Sequence, residues 1–180
     1  IEIESRDFEA WERFIKTYLR EKRFKHTAES RHTRDPHGHE RTVLDISIGQ
    51  TRMAWKEGEV FQLRFTTADT RDAALVCGKE KFSALVADLP YGVQHQARSD
   101  QETSRRPRLL VEEALPGWVR TLKHGGAIAL SWNTRVMPRA TLAMLMREAG
   151  LEVLDDAPWN QFSHKVDQTV TRDLLVALRV

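Results

Sequence analysis

The sequence predicts an α/β fold built on a doubly wound, mainly parallel sheet, with an antiparallel C-terminal strand pair and a β-hairpin insertion. Two observations carry this. From Phe82 onward, short apolar runs of strand length alternate with segments of helical period: FSALVAD, RLLVEEALPGWVRTLKHGG, AIALSWNT, PRATLAMLMREAG, LEVLDDA and VTRDLLVAL. Strands that alternate with helices pair in parallel, because a crossover helix returns the chain to the same edge. Before Phe82, by contrast, period-two runs separated by turn residues predict an antiparallel hairpin.

Taken in order, IEIE reads as a strand leading into a helix on which Phe8, Trp11, Phe14, Ile15 and Tyr18 recur at helical spacing. The helix runs out into a basic segment that includes Lys22, Arg23 and Lys25 and extends to Arg41. Asp35-Pro36-His37-Gly38 is a turn signal, and RTVLDISIG follows as a strand. Strands are expected at Met53–Trp55 and Val60–Phe65, joined by a hairpin turn at Lys56-Glu57-Gly58. Leu109, Leu110, Ala114, Trp118 and Leu122 mark a helix interrupted by Pro116 and closed by Gly125-Gly126. A second helix has Pro138 in its first turn and Gly150 at its end. The whole is expected to be one unit, 1–180, with 24–66 as its basic segment and hairpin insertion.

A chain of 180 residues, 41% of them apolar, can bury the core of one domain. The net charge is only +2, but the cations are clustered, so any polyanionic partner is recognised through patches. The lone cysteine, Cys77, leaves no intrachain disulfide and no cysteine-based zinc cage, which points to a reducing, cytoplasmic setting. No apolar run approaches the ~20 residues that span a bilayer. The chain opens without methionine on residues that read as part of a strand, and further residues are expected upstream.

One strand end carries unusual chemistry. FSALVAD runs straight into Asp88-Leu89-Pro90-Tyr91-Gly92, at the carboxyl end of a strand, where sheets of this class bind ligands. An ordinary turn is the plain alternative, since Asp, Pro and Gly all form turns. The order TADTRDAA, ALVADLPYG, a helix, AIALSWN, a helix and a last strand pair resembles the Rossmann-like class I S-adenosylmethionine-dependent methyltransferases. Within them, DLPYG resembles the catalytic motif of enzymes that methylate exocyclic amines of nucleobases. With the tail FSHKVDQTVTRDLLVA, it is most similar to the tRNA guanosine N2-methyltransferases that carry an upstream THUMP domain.

The resemblance implies S-adenosylmethionine as cofactor and RNA, namely tRNA, as substrate. It assigns the ribose-binding acid to Glu2, with Glu4 as competitor, and an adenine contact to Asp69, with Asp72 capping the following helix. Asp88 would lie between cofactor and substrate, and Glu2, Asp69 and Asp88 are expected to converge on one sheet edge. The family's glycine-rich loop is missing: none of the nine glycines forms Gly-x-Gly. The sequence is thus expected to lack the first strand and that loop of a methyltransferase catalytic domain, and this chain alone to bind cofactor weakly. The alternatives are a DNA amino-methyltransferase, which shares the motif, and a noncatalytic nucleic-acid-binding subunit that keeps the fold.

The chemistry of the motif follows from its residues. An exocyclic amine is a weak nucleophile because its lone pair is delocalised into the ring, and two acceptors aimed at its hydrogens localise that pair. The Asp88 carboxylate and the Leu89 carbonyl can be those acceptors, with Pro90 fixing the turn. Tyr91 can stack on the base, and Gly92 allows close approach. Arg98, Arg105 and Arg106 follow in the loop where a flipped base would arrive. Lys22, Arg23 and Lys25 are candidates for phosphate contact, or else form a solvated helix end. Asp35, His37, His39 and Glu40 read as a polar hairpin tip rather than a metal site, because no further histidine or cysteine has suitable spacing. Trp132 and Trp159 are expected in the core, and His164 lies in a loop that the resemblance places on the substrate side.

Overall fold

The structure, a computed structural model, describes residues 5–35, 37–90 and 107–180. The chain divides into two units, Ile1–Thr70 and Arg71–Val180.

The first unit packs one helix on a three-stranded antiparallel sheet. Helix α1 (Ser5–Glu21) turns Phe8 and Leu19 inward, with Ile15 beside them, against Leu44 and Ile46. Its neighbouring stripe, Trp11, Phe14 and Tyr18, stays exposed. The helix ends at Glu21, where the basic segment begins. Arg23 takes a left-handed φ of 57°, and the Phe24 N–H bonds back to the Leu19 carbonyl. From there Lys25–Arg34 is strand β1, because Phe24 and Ala28 are drawn into the small core while Thr27 and Thr33 suit a pleated backbone. It pairs with β2 (Glu40–Gly49) from Lys25↔Gly49 to Arg34↔Glu40. The expected turn between them is present. The Asp35 carboxylate accepts from the His37 and His39 N–H groups at 2.8 Å and pairs with the His39 ring, and Gly38 has φ 87°.

The expected strand and hairpin turn over 53–58 are replaced by helix α2 (Arg52–Glu57). Thr51 caps it through Ala54 N–H, and Gly58, at φ 77°, returns its own N–H to the Trp55 carbonyl. These local signals outweigh a period-two reading too short to be diagnostic. Gly49 makes the join possible, since a Cβ there would meet the Trp55 Cβ at 2.9 Å. Strand β3 (Phe61–Thr66) then pairs antiparallel with β2, Val43↔Thr66 to Ile48↔Phe61.

The second unit begins with a short helix α3 (Ala73–Cys77); Asp72 stands at its N-cap position without a side-chain capping bond. A mixed sheet follows, ordered β4 (Phe82–Asp88), β5 (Leu122–Asn133), β8 (Thr171–Arg179), β6 (Leu151–Val153), with β7 (His164–Lys165) beside β8. Only β4 and β5 pair in parallel; β8 is antiparallel to β5, β6 and β7. Among the described residues this sheet is therefore mixed rather than mainly parallel, and its C-terminal strands are antiparallel.

Helices α4 (Pro107–Thr121) and α5 (Arg139–Glu148) supply its core. Val111, Ala114, Leu115 and Trp118 of α4 and Leu142, Leu145 and Met146 of α5 bury Ile128, Leu130, Trp132 and Leu175. Helix α4 continues through Pro116, and Gly125-Gly126 do not close it. They lie within β5, where the β4–β5 register shifts between Phe82 and Ala84. A Cβ on Gly126 would sit 2.8 Å from the Lys123 carbonyl and 3.3 Å from those of Phe82 and Ser83, so the bulge requires glycine.

Candidate functional site

Alternation along β4 sends Leu85 and Ala87 toward the helix-covered core and leaves Ala84, Val86 and Asp88 on the other face, where Val86 is 78% exposed. Asp88 ends the strand opposite Ser131. The ladder continues one residue further: the Leu89 N–H donates to the Ser131 carbonyl at 2.8 Å, and the Leu89 side chain is buried. Pro90 follows, exposed, with its φ set by its ring. The motif's backbone is thus pinned at Leu89, directly after an exposed carboxylate.

Direction places several connections on this same edge. Strands β4, β5 and β6 all end here, and antiparallel β8 begins here. At the end of β5, Asn133 is 4% exposed and bonded through both ends of its side-chain amide. Its amide nitrogen donates to the Thr169 carbonyl at 3.2 Å, and its oxygen accepts from Arg135 and Thr171 N–H groups at 3.2 Å. Trp132 is buried as expected, and its indole N–H reaches the Met137 carbonyl at 2.7 Å. Before β8, the Asp167 carboxylate accepts from the N–H and hydroxyl of Thr169 and from the Val170 N–H. Those bonds, Thr169's main-chain donor first, hold its carboxyl below the usual carboxylate range.

Of the other sequence candidates, Tyr91, Gly92, Arg98, Arg105 and Arg106 lie outside the described residues, as do Glu2 and Glu4. Asp69 is half-buried just after β3 and belongs to the first unit, whereas Asp88 belongs to the second. Lys22 and Arg23 occupy the turn after α1, where Lys22 Nζ stands 5.9 Å from the Tyr18 ring centroid, and Lys25 opens β1. His164 is exposed, its Nδ1 3.0 Å from the Phe162 carbonyl. Trp159 departs from expectation, being 39% exposed and paired edge-on with Phe162 at 6.4 Å instead of lying in the core.

The residues themselves fit only part of S-adenosylmethionine. Asp88 can supply an acid, but no Gly-x-Gly occurs in the 180 residues to wrap the methionine portion. Arg139 and Asp173, which help to organise this edge, gave no sequence signal, since their partners lie far away in the chain.

No family model matches the chain, and no curated protein matches it. Solved structures of similar shape include a protein of Thermus thermophilus provisionally described as a DNA modification methylase, with 13% identity and a TM-score of 0.42 over 62% of this chain and 52% of that one. The aminoglycoside resistance methyltransferase NpmB1 is 19% identical with a TM-score of 0.42, over 65% of this chain and 61% of its own. A protein of Bordetella parapertussis, described as a possible exported protein, is 14% identical with a TM-score of 0.39, over 60% and 42%. The chain spans about half the length of the first of these structures. Among the described residues, no helix is long and apolar enough to cross a membrane.

Proposed function

We propose that the chain is part of a methyltransferase that transfers a methyl group from S-adenosylmethionine to an exocyclic amine of a nucleobase in RNA, with tRNA guanosine N2 as the specific target. The observation that carries this reading is the Asp88-Leu89-Pro90 strand end: an exposed carboxylate followed by a residue whose N–H and side chain are both committed. Support comes from the resemblance of the motif and of the order of strands and helices around it. S-adenosylmethionine, when bound, supplies an electrophilic methyl group.

The chain's own residues have separate tasks in this proposal. Asp88 accepts one amine hydrogen and the Leu89 carbonyl the other, which localises the lone pair along the line of attack. Pinning of Leu89 by Ser131 and by the core keeps that acceptor in place without reorganisation. Tyr91 stacks on the base, Arg98, Arg105 and Arg106 guide it in, and Lys22, Arg23 and Lys25 track phosphates. Glu2 or Glu4 holds the ribose and Asp69 the adenine.

Single-turnover methyl transfer to a tRNA transcript by the natural full-length polypeptide tests this. Asp88→Ala should lower the rate about 10²–10³-fold, by analogy with loss of one oxyanion-hole donor, while RNA affinity changes far less. Asp88→Asn should be milder, because an amide oxygen still accepts. A near-normal rate in Asp88→Ala would reduce the motif to a turn.

A further inference from the structure

In the connection between β6 and β7, the main chain of Trp159 is held by the side chain of Arg139. Arg139 is the first residue of α5, where a cation opposes the helix macrodipole, so the helix itself gives no reason for it. Its partners do. Nη1 donates to the Asp173 carboxylate at 2.9 Å and to the Leu174 carbonyl at 3.2 Å. Nη2 donates to the Trp159 carbonyl at 3.2 Å and reaches Asp155 at 3.4 Å. Asp173 is 4% exposed and its other oxygen is taken by the Leu174 N–H, so it is a fixed base for the guanidinium. Arg147 meets Asp155 from the far side.

One planar fork therefore ties buried β8 to the main chain of Trp159, whose ring stays 39% exposed against Phe162. Strand β6 runs in the same direction as β4, so Trp159 follows a strand that ends on the edge where Asp88 ends its own. A tryptophan left 39% exposed, while its main chain is anchored through Arg139 to buried Asp173, keeps part of its apolar surface in water without filling the core. It is suited to stacking on a flat partner.

We propose that Trp159, with Phe162, is a nucleobase-stacking contact for single-stranded nucleic acid, and that Arg139 is the positioning residue that holds it in place. The proposal rests on the function proposed above, extending it to a contact beyond the Asp88 motif. A structural role alone would register in stability; a positioning role registers in affinity through Trp159.

The test measures binding of a short fluorescent single-stranded RNA, with DNA of the same sequence as a second arm, to the full chain and to Trp159→Ala, Arg139→Lys and the double variant. Lysine keeps a positive charge beside Asp173 but lacks the fork that also reaches Trp159. Each single change should weaken binding about ten-fold, and the pair no more than the weaker single, because both remove one contact. Hydrogen exchange over 154–163 should accelerate in Arg139→Lys while β8 stays protected. Binding of either strand with this pattern supports the proposal, and the preferred strand names the natural source. Wild-type-like binding by Trp159→Ala, multiplicative losses, unchanged exchange, or no binding of either strand by the parent chain overturns it. Turnover by Asp88→Ala decides the methyl-transfer reading independently of all these results.

Discussion

Two aspartates, one in each unit, are both bound by arginine and differ in nearly everything else. Asp45 lies on the polar face of the first unit's sheet, about one-third exposed, between Arg31 at 2.9 Å and Arg64 at 2.5 Å. Asp173 is buried in β8, with Arg139 at 2.9 Å and its own neighbour's N–H at 2.8 Å. Water stands ready to replace either arginine at Asp45. At Asp173 nothing can. The contrast teaches that a surface triad tunes a sheet, while a buried pair is costly to break because the surviving charge is left uncompensated.

The largest effect is therefore expected at the buried site. Asp173→Ala should destabilise the chain by about 3 kcal/mol in urea unfolding, at the low end for a buried pair because Arg139 retains Asp155. A loss below about 1 kcal/mol, the range of a surface pair, would erase the contrast. Asn133→Ala should come next, at about 1–3 kcal/mol, since it strands the Thr169 carbonyl and the Thr171 N–H near the same edge. Exchange at Thr169–Thr171 should rise with it.

Asp45→Asn should cost under about 1 kcal/mol, and salt at about 1 M should shrink the difference further, because both arginines are half in water. A larger loss than that of Asp173→Ala would invert the comparison. The smallest effect is the pH response of the same residue. Hydrogen bonding from Arg64 first, opposed by burial and aided by Arg31, holds the Asp45 carboxyl below its ordinary range. A depressed folded value means that the contribution is complete above the unfolded value of about 3.9 and is lost as pH falls through the lower folded value. Melting temperatures of parent and Asp45→Asn should thus differ at about pH 6 and converge toward about pH 2.

Legibility followed the range of the deciding interactions. FSALVAD became β4 with the boundaries read from it, since a β-branched and apolar run ending at Leu-Pro has no competing local solution. Residues 53–58 fold as a helix and its cap rather than a strand and turn because two caps, not a period, decide so short a segment. Lys25–Arg34 carries a composition that suits a solvated helix end as well as an edge strand, and only pairing with β2 chooses between them. Gly125-Gly126 look like a helix stop in one dimension; the approach of the β4 carbonyls makes them a bulge.

The amino-acid sequence by itself determined the alternation of elements in the second unit, the hairpin tip at Asp35, and the position of Asp88-Leu89-Pro90 at a strand end, because each depends on residues within a few positions of one another. Tertiary structure alone decided that Leu89 is pinned to Ser131, that β8 runs antiparallel beside β5, and that Arg139 gathers Asp173 and the Trp159 carbonyl across separations of 34 and 20 residues. A guanidinium's partners are set by where folded strands end, and no local propensity or periodicity encodes that distance.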